Sequence, residues 1–275
     1  MGFFDFLKKK DDGSKKGSVP PPGDKRVAGH AKVVADKRAQ TYDRIESLQA
    51  LAEIRNADSA AALLKRFSFS IDPSITDQEE KDLAFEGIVA AGRPGELPKD
   101  EKERERTLAE AQERCEKVVE ATRAYCEKAE QLTWPIKVLR ALLDDDDYRD
   151  ELLVLLERYD TEYSRNVEPK IQLLVALEEV PGEHSREAVE SYLEDVNETV
   201  RFHAAESTFA HGDETSVPAL CKMLIAEESV RVKNKVAEGF VRRGWTVPVD
   251  QREAVAKSLL DTEGYRLDKS GKVVR

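Results

Sequence analysis

The sequence predicts an all-α chain, an α-solenoid of stacked antiparallel helix pairs. Three observations carry that expectation. One helical unit is written more than once: TVRFHAAESTFAHGDETSVPALCKMLIAEE starts at Thr199 and SVRVKNKVAEGFVRRGWTVPVDQREAVAKSLL at Ser229, and a helix pair recurring at about thirty residues marks a stacked repeat. The apolar residues fall at helical spacing, since Val217, Leu220, Cys221, Leu224 and Ile225 occupy i, i+3, i+4, i+7 and i+8. Composition agrees: 40% hydrophobic and 36% charged residues with only 7% aromatic suit a thin, elongated helical core.

In each copy a Val-Arg pair opens an amphipathic helix, a Gly-containing break follows, and a second striped helix closes the unit. The pairs are Val200-Arg201 and Val230-Arg231. A looser copy, NVEPKIQLLVALEEVPGEHSREAVESYLED, opens near Val167. Its inward positions are Ile171, Leu174, Val175 and Leu177 on one helix, and Ala188, Val189, Tyr192 and Leu193 on the next. Neither helix can bury its stripe alone, so the pairs must stack. Pro218 falls in a first helical turn, where its missing N–H costs nothing, after Thr215 and Ser216 as candidate caps.

These segments resemble the HEAT-repeat family, a HEAT/armadillo-like class, and in particular the short HEAT-like repeats of phycobilisome lyases. The motif that carries the resemblance is VRFHAAE, with VRVKNKVAEG less faithful, over residues 165–245. The resemblance implies a structural ladder in which Arg201 and Arg231 pair with acids at the preceding turn: Asp195 or Glu198 for Arg201, Glu227 or Glu228 for Arg231. Glu168 stands at the corresponding place in the earlier copy and leaves the ladder incomplete there. The resemblance also implies that second helices line the binding side, which singles out Glu187, Glu190, Glu194 and Lys222 as protein-binding residues.

Residues 1–26 read as a disordered leader, 27–262 as the repeat domain, and 263–275 as a C-terminal tail or short β-hairpin. In the leader, Phe3, Phe4, Phe6 and Leu7 precede Lys8, Lys9 and Lys10, on a tether rich in Gly, Ser and Pro. Through Arg26 it carries seven basic and four acidic residues, +3, so the remainder carries −14 of the total −11. Two readings stand: a reversible anchor onto anionic membrane or a partner protein, or a segment that stays free or docks on its own solenoid. Gly2 lacks a myristoylation context, because Phe6 occupies the Ser/Thr position.

A first pair spans Val27 to Phe67, with Ile45, Leu48, Leu51, Ala52 and Ile54 on one helix and Ala57 to Phe67 forming the other. Thr76 to Glu79 reads as a capping box for a helix running to Ala91. A long charged helix over 99–132 places Leu108, Ala111, Cys115, Val118, Thr122, Tyr125, Ala129 and Leu132 on one seam. It either lies along the solenoid or dimerises. Asp144 to Asp147 reads as a solvated turn. Trp134 and Trp245 read as packing anchors. At the C-terminus, Tyr265–Leu267 and Lys272–Val274 flank a Lys-Ser-Gly turn, which predicts a hairpin capping the last pair. Arg266, Lys269, Lys272 and Arg275 could alternatively form a docking tail.

Cys115, Cys126 and Cys221 sit on apolar faces without a secretory segment before them, which predicts reduced thiols in the cytoplasm. LLVLL from Leu152, the longest aliphatic run, is far short of the ~20 residues a membrane span needs. No Walker loop, dinucleotide fingerprint, HExxH or nucleophile elbow occurs in the sequence. His203, His211 and Cys221 invite a metal reading, yet surface and core roles suit them better, so no metal or cofactor is expected. The sequence points to a non-enzymatic scaffold that binds another protein, cytoplasmic, with contact to the inner membrane face through residues 1–10 as one of the two readings of the leader. The acidic balance argues against nucleic-acid binding. The resemblance leaves a bilin lyase-like pigment-handling helper as the alternative, and a helical-repeat DNA-binding protein as a weaker one.

Overall fold

A computed structural model describes residues 25–275, and the chain divides into two compact units, the first ending at Tyr148 and the second running Arg149–Arg275. The expectations for Phe3, Phe4, Phe6, Leu7, Lys8, Lys9 and Lys10 lie outside the described residues.

The first unit holds α1 (Lys25–Val34), α2 (Thr41–Ile54), α3 (Ala57–Leu64), α4 (Ser74–Gly92), α5 (Glu101–Cys126) and α6 (Thr133–Leu142). The unit boundary falls within α7 (Asp145–Leu156). Helix starts follow local chemistry. Asn56 and Ser59 form a reciprocal capping box on α3, and the Asp100 carboxylate accepts the Glu103 N–H at the head of α5. Asp144 accepts the Asp147 N–H, so the acidic run heads α7, where carboxylates suit the helix dipole. The predicted capping box at Thr76 does not open α4. That helix starts at Ser74, two residues earlier, and a proline precedes it.

In this unit α2 and α4 lie side by side and run parallel. Arg44 near the start of α2 meets Glu80 of α4, and Ala52 near the end of α2 lies against Gly87, where a Cβ would come within 2.9 Å of it. Gly87 therefore allows a backbone approach that any larger residue would block. Leu48, Leu51, Leu63, Leu64, Ile88, Val118 and Val138 fill the shared core. The predicted long helix is shorter than expected, because the chain leaves α5 after Cys126 and Leu132 becomes the residue before α6. Along its seam Ala111, Val118 and Thr122 are buried, whereas Leu108 is exposed. Trp134 stacks on Phe67 at 5.2 Å between ring centres and meets Phe85 at 6.0 Å, a packing role.

The second unit holds α8 (Glu168–Leu177), α9 (Glu183–Ser191), α10 (Glu198–His211), α11 (Val217–Ala226), α12 (Val230–Arg243) and α13 (Arg252–Leu259). An antiparallel hairpin follows, β1 (Arg266–Leu267) and β2 (Val273–Val274), with Arg266 opposite Val274. The fold is thus all-α with stacked helix pairs and one small hairpin. Asn197 caps α10 and Ser229 caps α12. Both helices end on a glycine in the left-handed region, Gly212 at φ 72° and Gly244 at φ 68°, which side chains with a Cβ adopt only under strain. Again same-layer neighbours are parallel. The Ser207 hydroxyl of α10 donates to Leu174 O of α8 at 3.0 Å, and the His211 Nε2–H to Leu177 O at 3.0 Å, one turn on. Between α10 and α12, the Phe209 ring occupies the space that a Cβ on Gly239 would need, at 2.2 Å. Trp245 is buried against Phe209 and Phe240.

One feature of the first unit has no counterpart in the hydrophobic pattern. Glu80 is fully buried in α4, and both Arg44 and Arg66 bind it, Arg44 Nε at 2.9 Å and Arg66 Nε at 2.6 Å. Arg66 also binds Asp77 at 2.7 Å, and Asp77 binds Lys81 at 2.6 Å. Burial pushes the Asp77 carboxyl up, but the Lys81 and Arg66 bonds outweigh it and hold the group below its ordinary value. A charge removed from such a network leaves its partners buried and unpaired, at a cost of about 3–5 kcal/mol. We expect Glu80→Ala to destabilise the first unit by about that amount, measured by urea unfolding followed through Trp134 in a Trp245→Phe background. In the second unit Gly239→Ala forces the Phe209 ring to move, and a loss of about 1–3 kcal/mol is expected from Trp245 fluorescence.

Candidate interaction surface

The second unit is held by a ladder of ion pairs whose register differs from the Val-Arg pattern. Counted from the residue before each helix, Arg201 is the fourth residue of α10, Lys233 the fourth of α12, and Lys170 the third of α8. Each reaches an acid at the break after the second helix of its own pair. Lys170 Nζ lies 2.8 Å from Asp195, Arg201 Nε 2.7 Å from Glu227, and Lys233 Nζ 2.8 Å from Asp261. The ladder is therefore complete in all three pairs, and Glu168 does not interrupt it. Arg231 stands two residues before the ladder position. It lies 3.6 Å from Glu198, with its guanidinium 4.1 Å above the Phe202 ring, instead of pairing with Glu227 or Glu228. The reason is geometric: a two-residue shift is about 200° around a helix, which turns Arg231 outward and Lys233 inward.

Arg201 reaches forward to Glu227, not back to the side chains of Asp195 or Glu198. Its Nε and Nη2 hold both carboxylate oxygens of Glu227, at 2.7 and 2.8 Å, while Nη1 donates to the Asp195 backbone oxygen at 2.8 Å. The fork geometry of guanidinium matches a carboxylate in a way an ammonium cannot. The acids also tie the following turn: Asp195 accepts the Asn197 N–H and Glu227 the Ser229 N–H, each two residues on. Burial favours a protonated Glu227, but the Arg201 bonds and the Ser229 and Glu228 N–H groups prevail and hold its pKa below the ordinary value. The hydrogen bonds that Arg201 donates to Glu227 raise the guanidinium's own pKa in turn.

Above the ladder lies a cleft of about 510 Å³, lined by Leu193, Glu194, Arg201, Lys222, Met223 and Glu227 among others. It brings together two of the four residues expected to bind protein. Glu194 and Lys222 form an ion pair across the α9 and α11 edges, and the side chains remain 62% and 68% exposed. Glu190 is placed differently, half-buried between Arg186 at 2.8 Å and the Ser216 hydroxyl at 2.5 Å, so it fastens α9 to the head of α11. Glu187 is exposed beside Arg186.

The residues that invited a metal reading are engaged separately. His203 Nδ1 lies 3.3 Å from Glu206, and His211 faces the Leu177 carbonyl, with burial lowering its pKa. Burial pushes the Cys221 thiol up to about 12, so its thiolate is scarce at neutral pH. Among the described residues no group of three or more His, Cys, Asp or Glu is placed to hold a metal ion, and no helix is long and apolar enough to cross a membrane. At the C-terminus Arg266, Lys269, Lys272 and Arg275 are exposed, with Arg275 over the Tyr265 ring at 5.6 Å. Comparison of the chain with protein-family models, with curated proteins and with solved structures returned no match.

Two outcomes follow for the ladder. Lys170 and Asp195 are both fully buried, whereas Asp261 is 64% exposed. Asp195→Ala should therefore cost about 3–5 kcal/mol in urea unfolding, and Asp261→Ala less, about 1–3 kcal/mol, because it leaves only the buried Lys233 ammonium without its partner. For Arg201 and Glu227 the sign with pH is fixed by the depressed carboxyl. The pair's stabilisation is complete above the ordinary glutamate value of 4.5 and is lost as pH falls through the lower folded-state value. Thermal melting from pH 7 to 3 should show Arg201→Gln converging on the wild type at the acid end.

Proposed function

We propose that this chain is a non-enzymatic binding module whose second unit is a short HEAT-like solenoid that engages another protein through its α9–α11 face. The observation that carries the reading is the exposed Glu194–Lys222 pair beside Glu187, mounted on three helix pairs in which a ladder of ion pairs repeats. A rigid stack supplies area and shape, and exposed charges on it set encounter rate and choice of partner. The side chains beneath are occupied with structure: Asp195, Glu190 and Glu227 each tie helices together. Recognition then falls to the groups above them. The matching partner surface carries spaced basic residues for Glu187 and Glu194, with an acidic residue available to Lys222.

The test is a quantitative pull-down from native lysate with the full-length chain and with Glu187→Lys/Glu194→Lys. Both substitutions lie on exposed positions, so circular dichroism melting should be unchanged to within a few degrees. Proteins retained by the wild type should fall by about tenfold or more in the variant, since reversed charges at a docking rim act on both rate and specificity. An identical retained set would overturn the proposal.

A further inference from the structure

The first unit carries a groove between α2 and α4 of about 620 Å³. Its floor is apolar, formed by Leu48, Ala52, Leu83, Gly87 and Ala90. Gln49 and the exposed Arg55 also line it, and the rest of its walls are acidic. Glu53 and Glu86 line it directly; Glu46, seven residues before Glu53, continues the wall along α2, and Glu79 and Asp82 continue it along α4. All five carboxylates are exposed, and no described cation pairs with any of them. The basic residues of the same two helices are turned inward, Arg44 onto Glu80 and Lys81 onto Asp77. An apolar floor flanked by five carboxylates and one arginine calls for a ligand with apolar anchors and several positive charges close together.

This chain contains such a segment. Phe3, Phe4, Phe6 and Leu7 are followed at once by Lys8, Lys9 and Lys10. We propose that the α2/α4 groove is the docking site of the chain's own Phe3–Lys10 segment, with the aromatics on the floor and the lysines against the acidic walls. Reach permits it. The fourteen residues from Asp11 to Asp24 can extend to about 46–50 Å at 3.3–3.6 Å each, and they join α1, which itself packs on α2. A tether of that length holds the segment at an effective concentration of the order of millimolar, which favours the chain's own groove over that of another copy. The groove and the segment then cover one another, and a competing basic ligand would release the aromatic tip.

The experiment uses the full-length chain with a photoreactive benzophenone side chain in place of Phe4, irradiated from 1 to 50 µM and read by peptide mass spectrometry. The expected crosslinks join residue 4 to peptides containing Leu48–Glu53 or Leu83–Ala90, within one chain, in a yield independent of concentration. Glu53→Lys/Glu86→Lys should lower that yield at least fivefold with the melting curve unchanged. Reversal on the other side, Lys8→Glu/Lys9→Glu, should do the same without touching the helices. Crosslinks between two chains that rise with concentration would assign the groove to a second copy and overturn the proposal. So would crosslinks to other peptides, a yield insensitive to both charge reversals, or no crosslink in a chain that co-sediments with phosphatidylserine vesicles.

Discussion

A cation near the head of a helix, bound to a carboxylate at the break that closes the same pair, is the contact on which the second unit depends. It recurs as Lys170 with Asp195, Arg201 with Glu227 and Lys233 with Asp261. Apolar stripes alone would let neighbouring helices slide by a turn, because one aliphatic contact is much like the next. A charge that must meet its counterpart permits a single register, although a buried pair contributes little net stability over an apolar replacement. Asp195 and Glu227 then orient the turn into the next pair through the N–H groups of Asn197 and Ser229. In this arrangement packing supplies the stability and the ladder fixes the alignment.

The first unit applies the same rule with different geometry. Arg44 is the fourth residue of α2, the position held by Arg201 and Lys233 in their helices, but its acid, Glu80, lies inside the neighbouring helix and is shared with Arg66. Two arginines on one glutamate need further acceptors: Arg66 also binds Asp77 and donates to the Phe69 carbonyl, and Arg44 donates to the Ala39 carbonyl. The inward turn of these cations leaves Arg55, just past the end of α2, as the one basic residue among the described residues that line the groove beside Glu53 and Glu86. Interior electrostatics thus decides the character of the groove on the outside.

Helical periodicity made most of the elements legible. Of the predicted stripe Val217, Leu220, Cys221 and Leu224 are buried while Ile225 is exposed at its edge, as is Val175 in the earlier copy; Trp134 and Trp245 are packing residues, and the Lys-Ser-Gly turn does close a hairpin. The ladder was legible only in part, because aligning Val200-Arg201 with Val230-Arg231 uses sequence likeness where the relevant count is from the helix start. Counted from Asn197 and Ser229, Val232-Lys233 matches Val200-Arg201, and the recurrence becomes 32 residues. Lys170 was hidden for a related reason, since Glu168 occupies the place that the Val-Arg pattern singled out. The Glu80 network left no trace in the sequence pattern: a glutamate in a charged helix looks the same whether it faces water or two arginines. The α9–α11 residues were nameable in advance, but which would stand free and which would serve as struts depended on neighbours such as Ser216 that only folding brings near.

Parallel packing within each layer gives the second unit a direction. The carbonyl ends of earlier helices are covered by side chains from later ones: Leu156 by Tyr192, Leu174 by Ser207, Leu177 by His211, Phe209 by Arg243 and Leu224 by Ser258. Each pair therefore completes the one before it and awaits completion by the one after. Among the described residues the hairpin packs on the last pair, joining Gly271 to Val247 and Ser270 to Arg252. Support in such an array passes backwards along the chain, so a cut between two pairs would expose carbonyls of the earlier pair and leave the later one with its own bonds intact.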